Sequence, residues 1–243
     1  MNRMIGFDRE LQLDWLDHTV GLCRESLEPG IVAAQLESSL TDQVTGAEAR
    51  RKTITVLLRI WVKVPVEHRS LRDEALGLAT EITPEDRLCL HWGMSLLAYP
   101  FFRDVAATVG QLGGLQGNLS RGQVQRRMIE TWGQRTTLQR AVQRLLRTFV
   151  EWQVLLGAGT RGSYSLAPAH QTDNRDLALW LMECALRANE AEQVPLRDME
   201  RLPYAFPFEL TAFVGELRRS ESFEVNRQGL DLEMVAVSRR SKP

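Results

Sequence analysis

No apolar run in this 243-residue chain approaches the ~20 residues that a helix needs to cross a bilayer. A membrane partner is therefore not expected. The opening stretch, MNRMIGFDRELQLDW, also lacks the apolar core and small-residue cleavage site of a secretory signal. Only three cysteines are present, Cys23, Cys89 and Cys184, far apart and set in apolar helical patterns. That excludes a disulfide framework and reads as reduced core thiols of a cytoplasmic protein. The four histidines, His18, His68, His91 and His170, lie in different elements, and none has a Cys or His partner at metal-ligand spacing. There is no phosphate-binding glycine loop, dinucleotide fingerprint or nucleophile elbow. The neighbours Glu67 and His68, or Asp173 and Asp176, resemble acid/base pairs only as far as chance supplies them. Neither an enzyme, a cofactor nor a metal is expected.

What the chain does have is concentrated in residues 119–170. Eight arginines stand there against two glutamates, a net +6, in a chain whose net charge is −1, so the remainder carries −7. None of those cations is lysine. A guanidinium grips a phosphate bidentately or reads guanine, whereas an ammonium acts as a point charge. A basic island in an acidic protein is the pattern of a chain with one surface for nucleic acid. The competing reading is a solvated helix whose arginines pair with acids elsewhere in the fold.

The local pattern of this stretch predicts a helix over 120–132 with Ser120 as N-cap, broken by Gly133. Thr136 or Thr137 then caps a second helix to about residue 152. Its Leu138, Val142, Leu145, Leu146 and Phe149 recur at three- and four-residue steps and mark a buried face. Two β-prone runs, 153–156 and 163–166, flank the loop Gly-Ala-Gly-Thr-Arg-Gly at 157–162. Helix, turn, helix and a hairpin with a basic tip is the order of a winged helix-turn-helix. In that arrangement the front of the second helix reaches base edges. Thr137, Gln139, Arg140, Gln143 and Arg144 are then candidate readers, with Arg147 nearer the backbone and Arg161 over a phosphate or in the minor groove. Arg121, Arg126 and Arg135 complete the candidate DNA-binding set. The six tryptophans read mostly as helical core positions; only Trp132 and Trp152, which flank the reading helix, are placed where a phosphate or sugar could be touched.

The rest reads as mainly α. Helices are expected over 8–26, from about 31 to 40, over 47–61 and over 66–81, and from a start at Thr83-Pro84-Glu85-Asp86. Another follows Pro100 to about residue 115. Arg50, Arg51 and Lys52 crowd a helix start, where anions are preferred, so a phosphate or acidic neighbours should relieve them. Gly113 to Asn118 reads as a linker. The expected regions are thus a helical one over 1–116, the winged helix over 117–170 and a helical one over 171–243. The last begins with a helix capped at Asp173 or Asn174. It continues through a short helical turn over 196–201, an extended Tyr204-Ala205-Phe206 and a helix over 208–219, to a hairpin turning at 226–229.

The residues Thr137, Leu138, Val142 and Leu145, then Gly159, Gly162, Tyr164 and Leu166, are similar to the T-x-x-x-L-x-x-L helix and G-x-G-x-Y-x-L wing of many winged-helix proteins. A narrower likeness covers about 49–166. A helix starting Ala49-Arg50-Arg51-Lys52, a later one with Tyr-Pro-Phe-Phe-Arg-Asp-Val at 99–105, and the spacing of Trp132, Thr137, Leu146 and Leu155 resemble the BrxA family of BREX phage-defence systems. That resemblance implies a bacterial, mostly helical, non-enzymatic protein that binds double-stranded DNA. Its implied partners are other defence-system proteins; a homodimer is a separate expectation. A transcriptional regulator, with the N-terminal helices as sensor or dimeriser, belongs to the same class. A reading from another class is a helical adaptor whose winged segment docks a protein.

Overall fold

The computed structural model describes residues 5–228 and 232–238, and for 200 and 201 the backbone alone. The chain is mainly α, with two small sheets. Six helices precede the basic stretch: α1 (Leu13–Glu25), α2 (Pro29–Ser39), α3 (Ala47–Trp61), α4 (Arg69–Leu78), α5 (Arg87–Ala98) and α6 (Pro100–Gln116). No helix among the described residues is long and apolar enough to cross a membrane.

Helix α5 is the axis, because its sequence is apolar or small almost all round. Residues 88–96 are all buried, with only Arg87 and Leu97 half-exposed beside them, and the core passes on every side. Gly93 permits the closest approach: a Cβ there would lie 2.6 Å from the Trp180 ring on α9 (Arg175–Ala188). Trp92 is the hub on the next position. Its Nε1 donates to the Tyr204 carbonyl at 2.9 Å, and its ring meets Phe102, Phe149, Trp152, Phe206 and Phe208 with centroids 4.9–6.2 Å apart. Edge-on and tilted aromatic pairs of this kind add about 0.5–1.5 kcal/mol each beyond the area they bury. One buried cluster thereby takes in residues of all three sequence regions, from Phe7 to Val237.

Several expected boundaries differ from those observed. The first helix starts at Leu13 rather than at Asp8, and residues 5–12 cross the molecule as an irregular strap. Thr83 to Asp86 form a turn, with Thr83 Oγ1 accepting from the Asp86 amide at 3.3 Å, and α5 begins only at Arg87. A 3-10 turn at Val66–His68 leads into α4, which stops at Leu78. The basic start of α3 is answered by acids: Arg50 pairs with Glu37, and Arg51 and Lys52 with Glu48. The Gly113 to Asn118 linker is the largest change. Residues 113–116 are the last turn of α6, and Gly117, at φ 72°, ends it. Gly113 is there for packing, since a Cβ would lie 2.5 Å from Cγ of Leu166.

After α9 come short 3-10 turns at Leu196–Arg201, Pro203–Ala205 and Thr211–Arg218, so Tyr204 and Ala205 are not extended and the last helix is of the tighter type. The terminal hairpin is a three-stranded sheet: β4 (Gln193–Pro195) pairs with β6 (Leu232–Val237), which pairs with β5 (Phe223–Gln228). Asn226 lies inside β5, opposite Met234, and not in the turn; Gly229 is outside the described residues.

Candidate nucleic-acid interface

The basic stretch folds as β1 (Asn118–Ser120), α7 (Arg121–Trp132), α8 (Thr136–Glu151), β2 (Leu155–Gly157) and β3 (Ser163–Leu166). With α6 in front, this is the helix–strand–helix–helix–hairpin order of a winged helix. Strand β3 lies between β1 and β2, antiparallel to both, with Leu119 opposite Tyr164 and Leu155 opposite Leu166. The first strand was invisible in sequence: three residues beside a glycine-rich stretch carry no period.

Ser120 caps α7 as expected, and more fully. Its Oγ accepts from the Gln123 amide at 3.3 Å, while its own amide donates to Gln123 Oε1 at 2.7 Å, a reciprocal capping box. Gly133, at φ 76°, makes the break. Neither Thr136 nor Thr137 caps α8. The extended residue before it is Arg135, whose side chain makes no cap hydrogen bond to the first turn. Helix α8 is sharply two-faced: Leu138, Ala141, Val142, Leu145, Leu146 and Phe149 are all fully buried.

Thr137, Gln139 and Arg140 are exposed on the first turns of α8, and Gln143 follows half-buried. Gln125 of α7, which sequence reasoning passed over, donates from Nε2 to the Gln139 carbonyl at 3.1 Å and ties the two helices at this point. In the wing, Gly159 at φ 60° and Gly162 at φ 84° shape the loop, and Arg161 between them is exposed. The Arg121 amide donates to the Gly162 carbonyl at 2.8 Å, so the start of α7 and the wing tip form one corner bearing Arg121 and Arg161. Arg126 is elsewhere. With Arg127 it lines a shallow depression of about 230 Å³ together with Leu112, Gln116, Gln123 and Glu130, on the α6 side of α7.

Arg144 and Arg147 have a different setting from the others. Arg144 Nη1 donates to the Asp8 carbonyl at 2.6 Å and stands 3.6 Å from the Asp8 carboxylate; Arg147 Nη1 is 3.5 Å from Glu10 Oε2. The strap that carries these acids is fastened by Phe7 and Leu11, both fully buried, and by the Leu11 amide donating to Thr148 Oγ1 at 3.0 Å. Arg144 and Arg147 are thus paired with acids, as the solvated-helix reading requires. Arg121, Arg126, Arg127, Arg140 and Arg161 have no ion pair among the described residues. Trp132 and Trp152 are both buried, with Trp132 Nε1 donating to Asp104 at 2.9 Å and Trp152 Nε1 to the Leu11 carbonyl at 3.0 Å, so neither is at the surface to meet a phosphate.

No family model, curated protein or solved structure matched this chain.

Proposed function

We propose that this chain is a non-enzymatic protein that binds double-stranded DNA through its winged helix, as a phage-defence component or transcriptional regulator. The observation that carries the reading is the exposed Arg140 at the front of α8, together with Arg121 and Arg161 at the wing corner, all three without an acidic partner among the described residues. In a chain of net charge −1, unpaired arginines gathered on one segment make a local positive field that attracts a polyanion. Thr137, Gln139, Arg140 and Gln143 supply the donors and acceptors suited to base edges, and Arg121 and Arg161 supply phosphate contacts. An uncapped α8 N-terminus adds a favourable potential for an anion.

The test is binding to duplexes of ~30 base pairs by fluorescence polarisation across a range of salt. Log affinity should fall linearly with log salt, at about 0.9 per phosphate neutralised. No binding at low salt removes the reading and leaves the segment as a protein-docking surface. Single strands binding as tightly as duplex count against a winged helix as the reader.

A further inference from the structure

Sequence spacing gave His170 no ligand partner, but the fold does. Asp86, the residue just before α5, and Cys89 in its first turn are three residues apart, an interval that brings their side chains to the same side. His170 reaches them from the segment that leaves the wing. Its Nε2 stands 3.3 Å from Asp86 Oδ1, and one donor atom from each of the three residues, Cys89 Sγ included, lies within 4.8 Å of the others. Donors around a tetrahedral zinc, at 2.0–2.3 Å from the metal, are themselves roughly 3.3–3.8 Å apart. The Asp86–His170 separation is within that range, and the cluster meets it in full by drawing in from the 4.8 Å that bounds the other pairs.

All three positions are braced. The His170 amide donates to the Pro207 carbonyl at 2.7 Å, its carbonyl accepts from the Glu209 amide at 2.9 Å, and its ring meets Phe208 edge-on at 5.6 Å. Asp86 is held by its amide bond to the Thr83 carbonyl at 3.1 Å, and the Cys89 amide donates to the Asp86 carbonyl at 3.0 Å. Cys89 is fully buried and Asp86 half-buried, whereas His170 also lines a cavity of about 440 Å³ with Glu85, Arg87, Gln153 and Pro207. One sulfur, one imidazole nitrogen and one carboxylate oxygen exclude calcium and magnesium, which take oxygen ligands, and match zinc.

We propose that Asp86, Cys89 and His170 form a zinc site, with the fourth position taken by water from the adjoining cavity. On binding, the Cys89 S–H bond breaks, its proton goes to solvent and the sulfur donates its pair to the metal. Thiolate and carboxylate then balance the dication. The site pins the strand-to-helix connection between the wing and α9 to the central helix α5. It does not depend on the DNA reading.

The test uses the untagged full chain, stripped with a chelator and titrated with cobalt(II), followed by zinc competition. One equivalent of cobalt should bind and give a thiolate-to-metal charge-transfer band, absent in Cys89→Ser. Zinc affinity should fall about 100-fold or more in His170→Ala, since even an outer-shell partner is worth 10–100-fold. Circular dichroism checks each fold; if Cys89→Ser does not fold, the partly exposed His170 carries the test. A thiolate band missing from the parent chain, or persisting in a folded Cys89→Ser through Cys23 or Cys184, overturns the proposal. So does unchanged zinc affinity in His170→Ala.

Discussion

Arg144 on α8 donates to the carbonyl oxygen of Asp8 at 2.6 Å, across 136 residues of chain. The strap that brings Asp8 there also brings Glu10 to Arg147, so the rear half of the proposed reading helix is already occupied by carboxylates. A phosphate approaching that half competes with them. Both pairs are partly exposed, so each contributes about 0.2–1 kcal/mol to the fold at most.

Asp8→Asn and Glu10→Gln should therefore tighten duplex binding and barely move stability. Removing both acids takes the carboxylate from each guanidinium, leaving Arg144 only its bond to the Asp8 carbonyl, and the salt slope should steepen by roughly 0.9 for each arginine that takes up a phosphate. Polarisation titrations at several salt concentrations read this directly. If affinity and slope stay those of the parent, Arg144 and Arg147 lie outside the interface.

Reading and gripping separate on two other arginines. Arg140 is on a rigid helix whose opposite face is fully buried, whereas Arg161 is in a loop between two glycines of positive φ. Arg140→Ala should cost about 1–3 kcal/mol of binding and relax any sequence preference. Arg161→Ala should weaken all duplexes alike and flatten the salt slope by about one contact. Both are exposed, so the melting temperature should hold. Equal and negligible effects would favour the protein-docking alternative.

Adjacent glycines in α6 test how this helix meets the wing sheet. Gly114 is exposed with open space around its Cα, so Gly114→Ala gains helix propensity and should stabilise by up to about 1 kcal/mol. Gly113 faces Leu166 with no room for a Cβ, and Gly113→Ala should destabilise by about 1–2 kcal/mol once overpacking is set against propensity. Urea unfolding of the two variants should show opposite signs. Two neutral results would mean that this stretch behaves as the linker its composition suggests.

What the sequence made legible follows from physical range. The α8 face, the Ser120 cap, the Gly133 break and the Asn174 cap are local, and each is where its residues predict. The Asn174 side chain, for example, accepts from the Leu177 amide at 3.0 Å. Some boundaries were missed locally, as at Thr83 and at Thr136, but the misses that bear on the site are non-local. A linker and a packing glycine look alike until Leu166 is brought to Gly113. Trp132 and Trp152 looked like surface candidates until Asp104 and Leu11 supplied their hydrogen-bond partners. Nothing in residues 5–12 announces that Asp8 and Glu10 will cover Arg144 and Arg147, because the period of a strap is no period at all. His170 and Cys89 are 81 positions apart, beyond any spacing rule.

The surface of α4 supplies a pH test independent of DNA and zinc. Partial loss of hydration raises the Glu74 carboxyl above its ordinary value, and the negative charges of Glu183 and Asp176 raise it further. A raised folded-state value means the fold prefers the neutral form. The contribution to stability is therefore fully present below the ordinary glutamate value of about 4.3 and is lost as pH rises through the folded value. At neutral pH the ionised Glu74 is a net burden. Glu74→Gln, which keeps the shape and removes the charge, should unfold at a higher temperature than the parent at pH 7. That advantage should shrink to nothing as pH drops below the ordinary glutamate range, where Glu74 is protonated in both states. Thermal melts of both proteins from pH 3.5 to 8 decide it: a variant no more stable at pH 7, or a gain unchanged in acid, would show that Glu183 and Asp176 do not act on this group.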